Sequence, residues 1–361
     1  MLKKWLITML IIILLPAIFI MYIVIDSGAF KTIEPHFSGS CKTVTGVVGA
    51  EDITIDATSG LAYISSHDRR NWSSGGGIYM YQTGSYSKPI LMPHDIDGTF
   101  YPHGISLWKN PNGLDRLFVV NHPPSATENK QRSDSEVIIF EIKENQLKHV
   151  KTLKTDSPFS LNDVAAANDS SFYATIDRGS LTRFGRMLEA YGRLAMGGIA
   201  YGRGDVITRI SGNLVYPNGI QVSRDGKMVY VSESTGKRLL SYTRDEVSGE
   251  LSLIDEISID SGLDNIELDA DGNLWIGAHP QMYKFLKHSI DQTNRSSSQV
   301  LLVNVNNGMS VDEIYLNNGS PISGSSVGAP YQEHLLIGSV YEPFILDCKD
   351  HNSGLTNSPF R

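Results

Sequence analysis

One short pattern recurs six times between residues 51 and 339, and it limits the fold more than any other feature of this 361-residue chain. Each copy has a pair of polar or small residues, then alternating apolar residues, a turn, and a second apolar strand that ends in a small or polar residue. The copies begin at Glu51-Asp52-Ile53, His103-Gly104-Ile105, Asn162-Asp163-Val164, Asn218-Gly219-Ile220, Asp264-Asn265-Ile266 and Ser325-Ser326-Val327. Period-two alternation around turns such as Asp225-Gly226 and Asp271-Gly272 reads as a β-hairpin. The aliphatic residues Ile53, Ile105, Val164, Ile220, Ile266 and Val327 are spaced 52, 59, 56, 46 and 61 apart. A period of about 50 residues, with about four short strands per unit, is the pattern of a β-propeller. The expected class is all-β: a six-bladed β-propeller with a central channel. A β-sandwich of generic hairpins would not repeat in this form.

The innermost strands of a propeller line that channel. Equivalent pairs on six blades therefore converge on one axis. The ring supplies the carboxylates Glu51, Asp52, Asp163 and Asp264, and the amide oxygens of Asn162, Asn218 and Asn265. Four carboxylates in a low-dielectric channel repel one another unless a cation compensates. An all-oxygen set with amide carbonyls suits calcium. Zinc prefers nitrogen and sulfur, and magnesium a smaller octahedral cage. Singly, Asn-Gly and Asp-Asn pairs are turn residues; the shared repeat position makes them ligand candidates. His103 stands in the same ring, where an imidazole could deprotonate water. His122 ends the outward strand of that hairpin and could orient His103 or relay its proton. His279 closes the fifth hairpin likewise.

Other classes find little support. The net charge of −8 lacks the basic excess of a nucleic-acid binder. There is no Walker loop, H-E-x-x-H or strand-borne G-x-G-x-x-G. The only two cysteines, Cys41 and Cys348, are too few for a zinc cluster. They leave two readings open, a bridge or two unrelated buried thiols. Lys3 and Lys4 precede an uncharged run from Trp5 to Ile25, long enough to span a bilayer. We read residues 1–30 as an uncleaved signal-anchor and linker, and 31–361 as the propeller hydrolase domain on the extracytoplasmic side, membrane-anchored or secreted. A cleaved signal peptide is the alternative. Either compartment permits disulfides, and sequons at Asn71, Asn168, Asn294 and Asn318 could carry glycans.

Gly49-Ala50-Glu51-Asp52, Pro102-His103-Gly104-Ile105-Ser106, Val120-Asn121-His122-Pro123, Leu161-Asn162-Asp163, Asn218-Gly219-Ile220, Asp264-Asn265-Ile266 and His279-Pro280 together resemble one family. It is the paraoxonases, calcium-dependent lactonases and arylesterases with a six-bladed propeller. The resemblance implies two calcium ions. A catalytic ion would be held by Glu51, Asn162, Asn218, Asp264 and Asn265. A deeper structural ion would be held by Asp52, Asp163 and the backbone carbonyl of Ile105. It also implies that His103 and His122 form a dyad that activates water, and that Cys41 and Cys348 form a disulfide joining the ends of the ring. The chain departs from the family between Asp177 and Tyr191, where an aromatic-rich lid is expected. Here the segment is more basic, and Leu181, Phe184, Leu188 and Tyr191 follow helical spacing, so a lid helix is still expected. Ala278 stands where the animal members carry a third cysteine.

The expected function is hydrolysis of lactones or aryl esters, with calcium polarising the carbonyl and a His-activated water attacking. The rivals are a non-catalytic calcium-stabilised binding module and a strictosidine-synthase-like propeller. The partners expected are a small lactone or ester and, through the N-terminal segment, a membrane.

Overall fold

The computed structural model describes residues 2–123, 135–155, 160–180 and 182–351. It contains six four-stranded antiparallel sheets, each of consecutive strands except the last. The inner strands are Ala50–Ile55, Pro102–Trp108, Ser160–Ala166, Pro217–Val222, Gly262–Leu268 and Ser325–Tyr331, which begin blades 1 to 6. These are the six copies read in the sequence. The outermost strand of blade 6 is Gly39–Thr45, from the other end of the chain; it pairs with Phe344–Asp350 in a register that sets Cys41 opposite Cys348. The two cysteines are disulfide-bonded across 307 residues. The ring is thus closed by strand pairing and by a covalent bond at the same seam.

Apolar side chains sit between blades, not at the axis. Six hydrophobic clusters fill the six junctions between neighbouring blades. Phe118 and Val120 of blade 2, for example, pack with Val164, Phe172 and Ile176 of blade 3. The six key aliphatic residues are all buried in these layers. Each such side chain contributes about 1.5–3 kcal/mol by leaving water. Because both faces of every sheet are used in this way, the axis is left to the ends of the inner strands and can be polar.

A shared irregularity turns those strand ends inward. Every inner strand slips register with its neighbour across the polar pair: between Ala50 and Asp52, Pro102 and Ile105, Leu161 and Val164, Pro217 and Ile220, Leu263 and Ile266, and Ser325 and Val327. Such a break lifts residues out of the ladder and re-aims their side chains. Two of the pairs carry glycine because the next blade lies too close for a side chain. A Cβ on Gly104 would sit 2.3 Å from Asp163 Oδ1, and one on Gly219 would sit 2.5 Å from the Asp264 carbonyl oxygen.

Among the described residues three helices accompany the propeller: α1 (Leu2–Asp26), α2 (Arg183–Gly192) and α3 (Met282–Ile290). From Thr8 to Asp26, α1 is apolar and none of it is buried. The expected lid helix is α2, capped by the Thr182 hydroxyl accepting from the Gly185 N–H; Leu181 lies outside the described residues. Its apolar side is not covered: Phe184 and Leu188 are exposed, while Glu189 is buried. The sequence reading did not foresee α3, which follows the second strand of blade 5.

Candidate active site

The last turn of α1, together with α2 and α3, borders a cavity of about 460 Å³ at one end of the channel. Its walls also include Glu51, Arg69, His103, Asn162, Asn218, Asp264 and His279. Residues from blades 1 to 5, distant in sequence, thus meet in one place because equivalent register breaks point them there. Asn265 joins them at the floor, where its Nδ2 donates to Glu51 Oε1 at 3.0 Å and to the Glu51 carbonyl at 2.9 Å.

The orientation of the amides matters. Asn218 Nδ2 donates to Ser234 Oγ at 3.0 Å, and that hydroxyl donates to the Leu263 carbonyl. Fixing the nitrogens of Asn218 and Asn265 leaves their oxygens turned the other way. Asn162 Oδ1, Asn218 Oδ1, Asp264 Oδ1 and Asn265 Oδ1 are all buried without a hydrogen-bond partner. A buried acceptor left unpaired costs about 1–3 kcal/mol. Four of them around one floor make a cradle of hard oxygens, which fits a calcium ion. Among the described residues, no three His, Cys, Asp or Glu side chains gather as a metal cluster by themselves. The set depends on amides as much as on carboxylates.

Asp52 and Asp163 lie behind this floor and act as latches between blades. Asp52 accepts from Ile53 N–H at 2.9 Å and, across the gap, from Ile105 N–H of blade 2 at 2.7 Å. Asp163 accepts from Val164 N–H at 2.7 Å and from Ile220 N–H of blade 4 at 2.8 Å. Ile105 therefore enters this layer through its N–H. Burial, then the charge of Glu51, pushes the Asp52 carboxyl well above its ordinary range. Burial and then Asp52 do the same to Asp163. Glu267 is a further buried carboxylate beside Thr54, raised by burial and then by Asp52. It was not among the residues singled out in the sequence.

His103 and His122 meet edge to face, with ring centroids 5.0 Å apart. His103 Nε2 lies 3.5 Å from Glu51 Oε1, and His122 Nδ1 lies 3.1 Å from Ser135 Oγ. Arg69 is a second residue the sequence reading missed. Its guanidinium donates to the carbonyls of Gly49 and His67, and sits 3.2 Å from His103 Nδ1 and 3.8 Å from Glu51 Oε2. The run Asp68-Arg69-Arg70 after the second strand of blade 1 was the available signal. His279 Nε2 bonds Asp264 Oδ2 at 2.8 Å, and its ring stacks on Phe285 of α3.

A family model described as Arylesterase matches residues 41–349. Serum paraoxonase/arylesterase 1 of Rattus norvegicus is 31% identical over 331 residues, covering 87% of this chain and 90% of the relative. Serum paraoxonase/arylesterase 2 of Homo sapiens is 30% identical over 321 residues, covering 85% and 87%. Among solved structures, the calcium-binding protein regucalcin of Agrobacterium tumefaciens superposes with a TM-score of 0.51 at 14% identity, covering 87% of this chain and 96% of that one. The PQQ-bound aldose sugar dehydrogenase of Streptomyces coelicolor gives 0.53 at 14% identity, covering 88% and 99%. At such identity these two establish the fold alone.

Proposed function

The chain belongs to the arylesterase family, and on that premise we propose that it is a calcium-dependent hydrolase of lactones and aryl esters. The observation that carries the reading is the group of four buried, unpartnered oxygens of Asn162, Asn218, Asp264 and Asn265 beside Glu51 and His103. Glu51 and these four residues would hold one calcium ion. Asp52, Asp163 and the carbonyl of Ile105 would hold a second, structural one. When bound, the first ion supplies Lewis acidity at the substrate carbonyl, where negative charge develops.

The remaining work falls to side chains. Asn265 and Arg69 fix the Glu51 carboxylate from two sides. His103, with His122 behind it, is assigned to the proton of the attacking water. The contact between Arg69 and His103 favours a second reading of His103. A guanidinium only donates, so His103 Nδ1 accepts and the neutral ring carries its hydrogen on Nε2. In that form His103 offers a hydrogen bond, which would stabilise the carbonyl oxygen or the leaving alkoxide. It takes a proton at Nε2 only if Arg69 turns away from Nδ1.

For α1 we propose an uncleaved signal-anchor, with the propeller on the extracytoplasmic side; its apolar surface is exposed from Thr8 to Tyr22. The test of the main reading is hydrolysis of a lactone panel and of phenyl acetate by purified protein, with calcium and with a chelator. Turnover that survives complete chelation would sink the calcium mechanism. Calcium binding without any turnover would favour a non-catalytic binding module.

A further inference from the structure

We propose that the mouth of the cavity is an anion subsite, so that the preferred ester or lactone carries a carboxylate or a similar small oxyanion away from its reacting carbonyl. The inference rests on the hydrolase reading and names its substrate class.

Arg178, Arg193 and Lys237 line the cavity at the helix-covered end, and Tyr216 and Thr235 stand on the same wall. The counter-charges are placed behind or to the side. Arg178 Nε lies 3.6 Å from the buried Asp177. Arg193 Nη2 and Lys237 Nζ lie 2.5 and 3.6 Å from Asp26, and Lys237 also lies 2.7 Å from Asp260. Of these carboxylates only Asp26 lines the cavity. With Arg186, which lines the cavity as well, four cations therefore meet one anion on this wall, whereas Glu51, Asp264 and Arg69 belong to the floor.

The neutral groups add donors. Tyr216 Oη accepts from Arg178 Nη2 at 2.7 Å, which leaves the phenol hydrogen to be donated. The Thr235 hydroxyl is buried without a hydrogen-bond partner. Guanidinium, ammonium, phenol and hydroxyl together suit an oxyanion, because charge-assisted bonds to it are the strong ones.

The backbone points to the same wall. Tyr216, Arg193 and Lys237 have φ of 52, 53 and 55°, in the left-handed region that side chains other than glycine seldom occupy. Arg193 ends α2, a place usually given to glycine, and here the cap presents a guanidinium instead. Residues kept in such conformations cluster where ligands bind.

The experiment compares phenyl acetate with 4-acetoxybenzoate, two acetate esters that differ by a para carboxylate, in calcium-loaded full-length protein. The KM for the carboxylate ester is expected to be lower by about tenfold at low ionic strength. The gap should close in about 1 M sodium chloride, where the Debye length falls to about 3 Å. Arg178→Gln and Lys237→Gln should each raise that KM more than the KM for phenyl acetate. Lys148→Gln, on an exposed outer strand of blade 2, should leave the ratio unchanged. Equal KM values in the wild type, or a preference that ignores salt, would overturn the proposal. Should Arg178→Gln fail to fold, the wild-type salt series and Lys237→Gln still decide. If neither ester is turned over, the hydrolase reading fails first, and calorimetric titration with benzoate takes over. Benzoate binding that Lys237→Gln weakens keeps the subsite, and no benzoate binding overturns it.

Discussion

Arg69 Nη2 lies 3.2 Å from His103 Nδ1, and the contact decides which nitrogen of the imidazole is bare. The hydrogen of the neutral ring sits on Nε2, toward Glu51. Glutamine at position 103 can still donate from its amide. His103→Gln is therefore expected to lower kcat on phenyl acetate by only about tenfold, against the ~10²–10⁴ of a lost general base. A loss at the upper end of that range would return His103 to the role of base. Arg69→Met should lower kcat as well, since it frees Nδ1 and lets the ring reorient.

The proposed calcium cradle depends on how its amides are held. Ser234→Ala removes the group that fixes Asn218 Nδ2. Calcium affinity, followed by titration calorimetry, should weaken by roughly 10–100-fold, the usual effect of losing a supporting hydrogen bond around a metal. Glu51→Gln should weaken it further by removing a charge. Unaltered binding in both variants would show that the ion sits elsewhere.

Protonation and calcium should compete for Asp52 and Asp163. Their native pKa values are raised above those of the unfolded chain. Without metal, the native state then binds more protons than the unfolded state over that interval, so stability falls as pH rises through it. A calcium ion bound there would replace those protons. The difference in Tm between calcium-loaded and chelated protein should widen from pH 5 to pH 8. A difference independent of pH would mean that these carboxylates are not linked to the ion.

The seam disulfide closes a loop of 307 residues. Chain entropy assigns such a bond about 6 kcal/mol, an upper figure since measured values often fall short. Cys41→Ser should lower the denaturant midpoint, with calcium affinity retained because Cys41 is remote from the cradle. A midpoint equal to wild type would leave strand pairing alone holding the ends.

Gly104→Ala would force a methyl against Asp163 Oδ1, part of the contact between blades 2 and 3. Overpacking of this kind costs about 1–3 kcal/mol. Thermal unfolding should show that loss, together with weaker calcium binding. An alanine variant as stable as wild type would mean that the blades can part here without cost.

What could be read from the sequence, and what could not, divides along the repeat. That Glu51, His103, Asn162, Asn218 and Asp264 line one cavity is legible because each occupies the same place in its copy, and one copy explains the next. Arg69 has no counterpart in the other blades, so no repeat argument reaches it. Glu267 follows Ile266 on a strand buried on both faces, and there alternation does not separate core from solvent. For α3, the spacing of Met282, Phe285, Leu286 and Ser289 was present but short, just beyond Pro280. In α2 the periodicity gave the helix but not its cover; Phe184 and Leu188 are exposed.

The seam also sets an order of events during synthesis. Gly39–Thr45 is among the first parts of the propeller to be made, and its partner Phe344–Asp350 among the last. At about 5–20 residues per second, the first strand waits on the order of 15–60 s for the other. Throughout that wait it is an unpaired strand, and its open backbone N–H and C=O groups are the kind of surface that recruits neighbouring chains. Its composition fits a segment that must stay solitary: Ser40, Lys42, Thr43 and Thr45 leave little apolar surface to attract a wrong partner. Nascent chains released before residue 344 would lack the closing partner, and they are the ones in which this strand is expected to cross-pair between molecules.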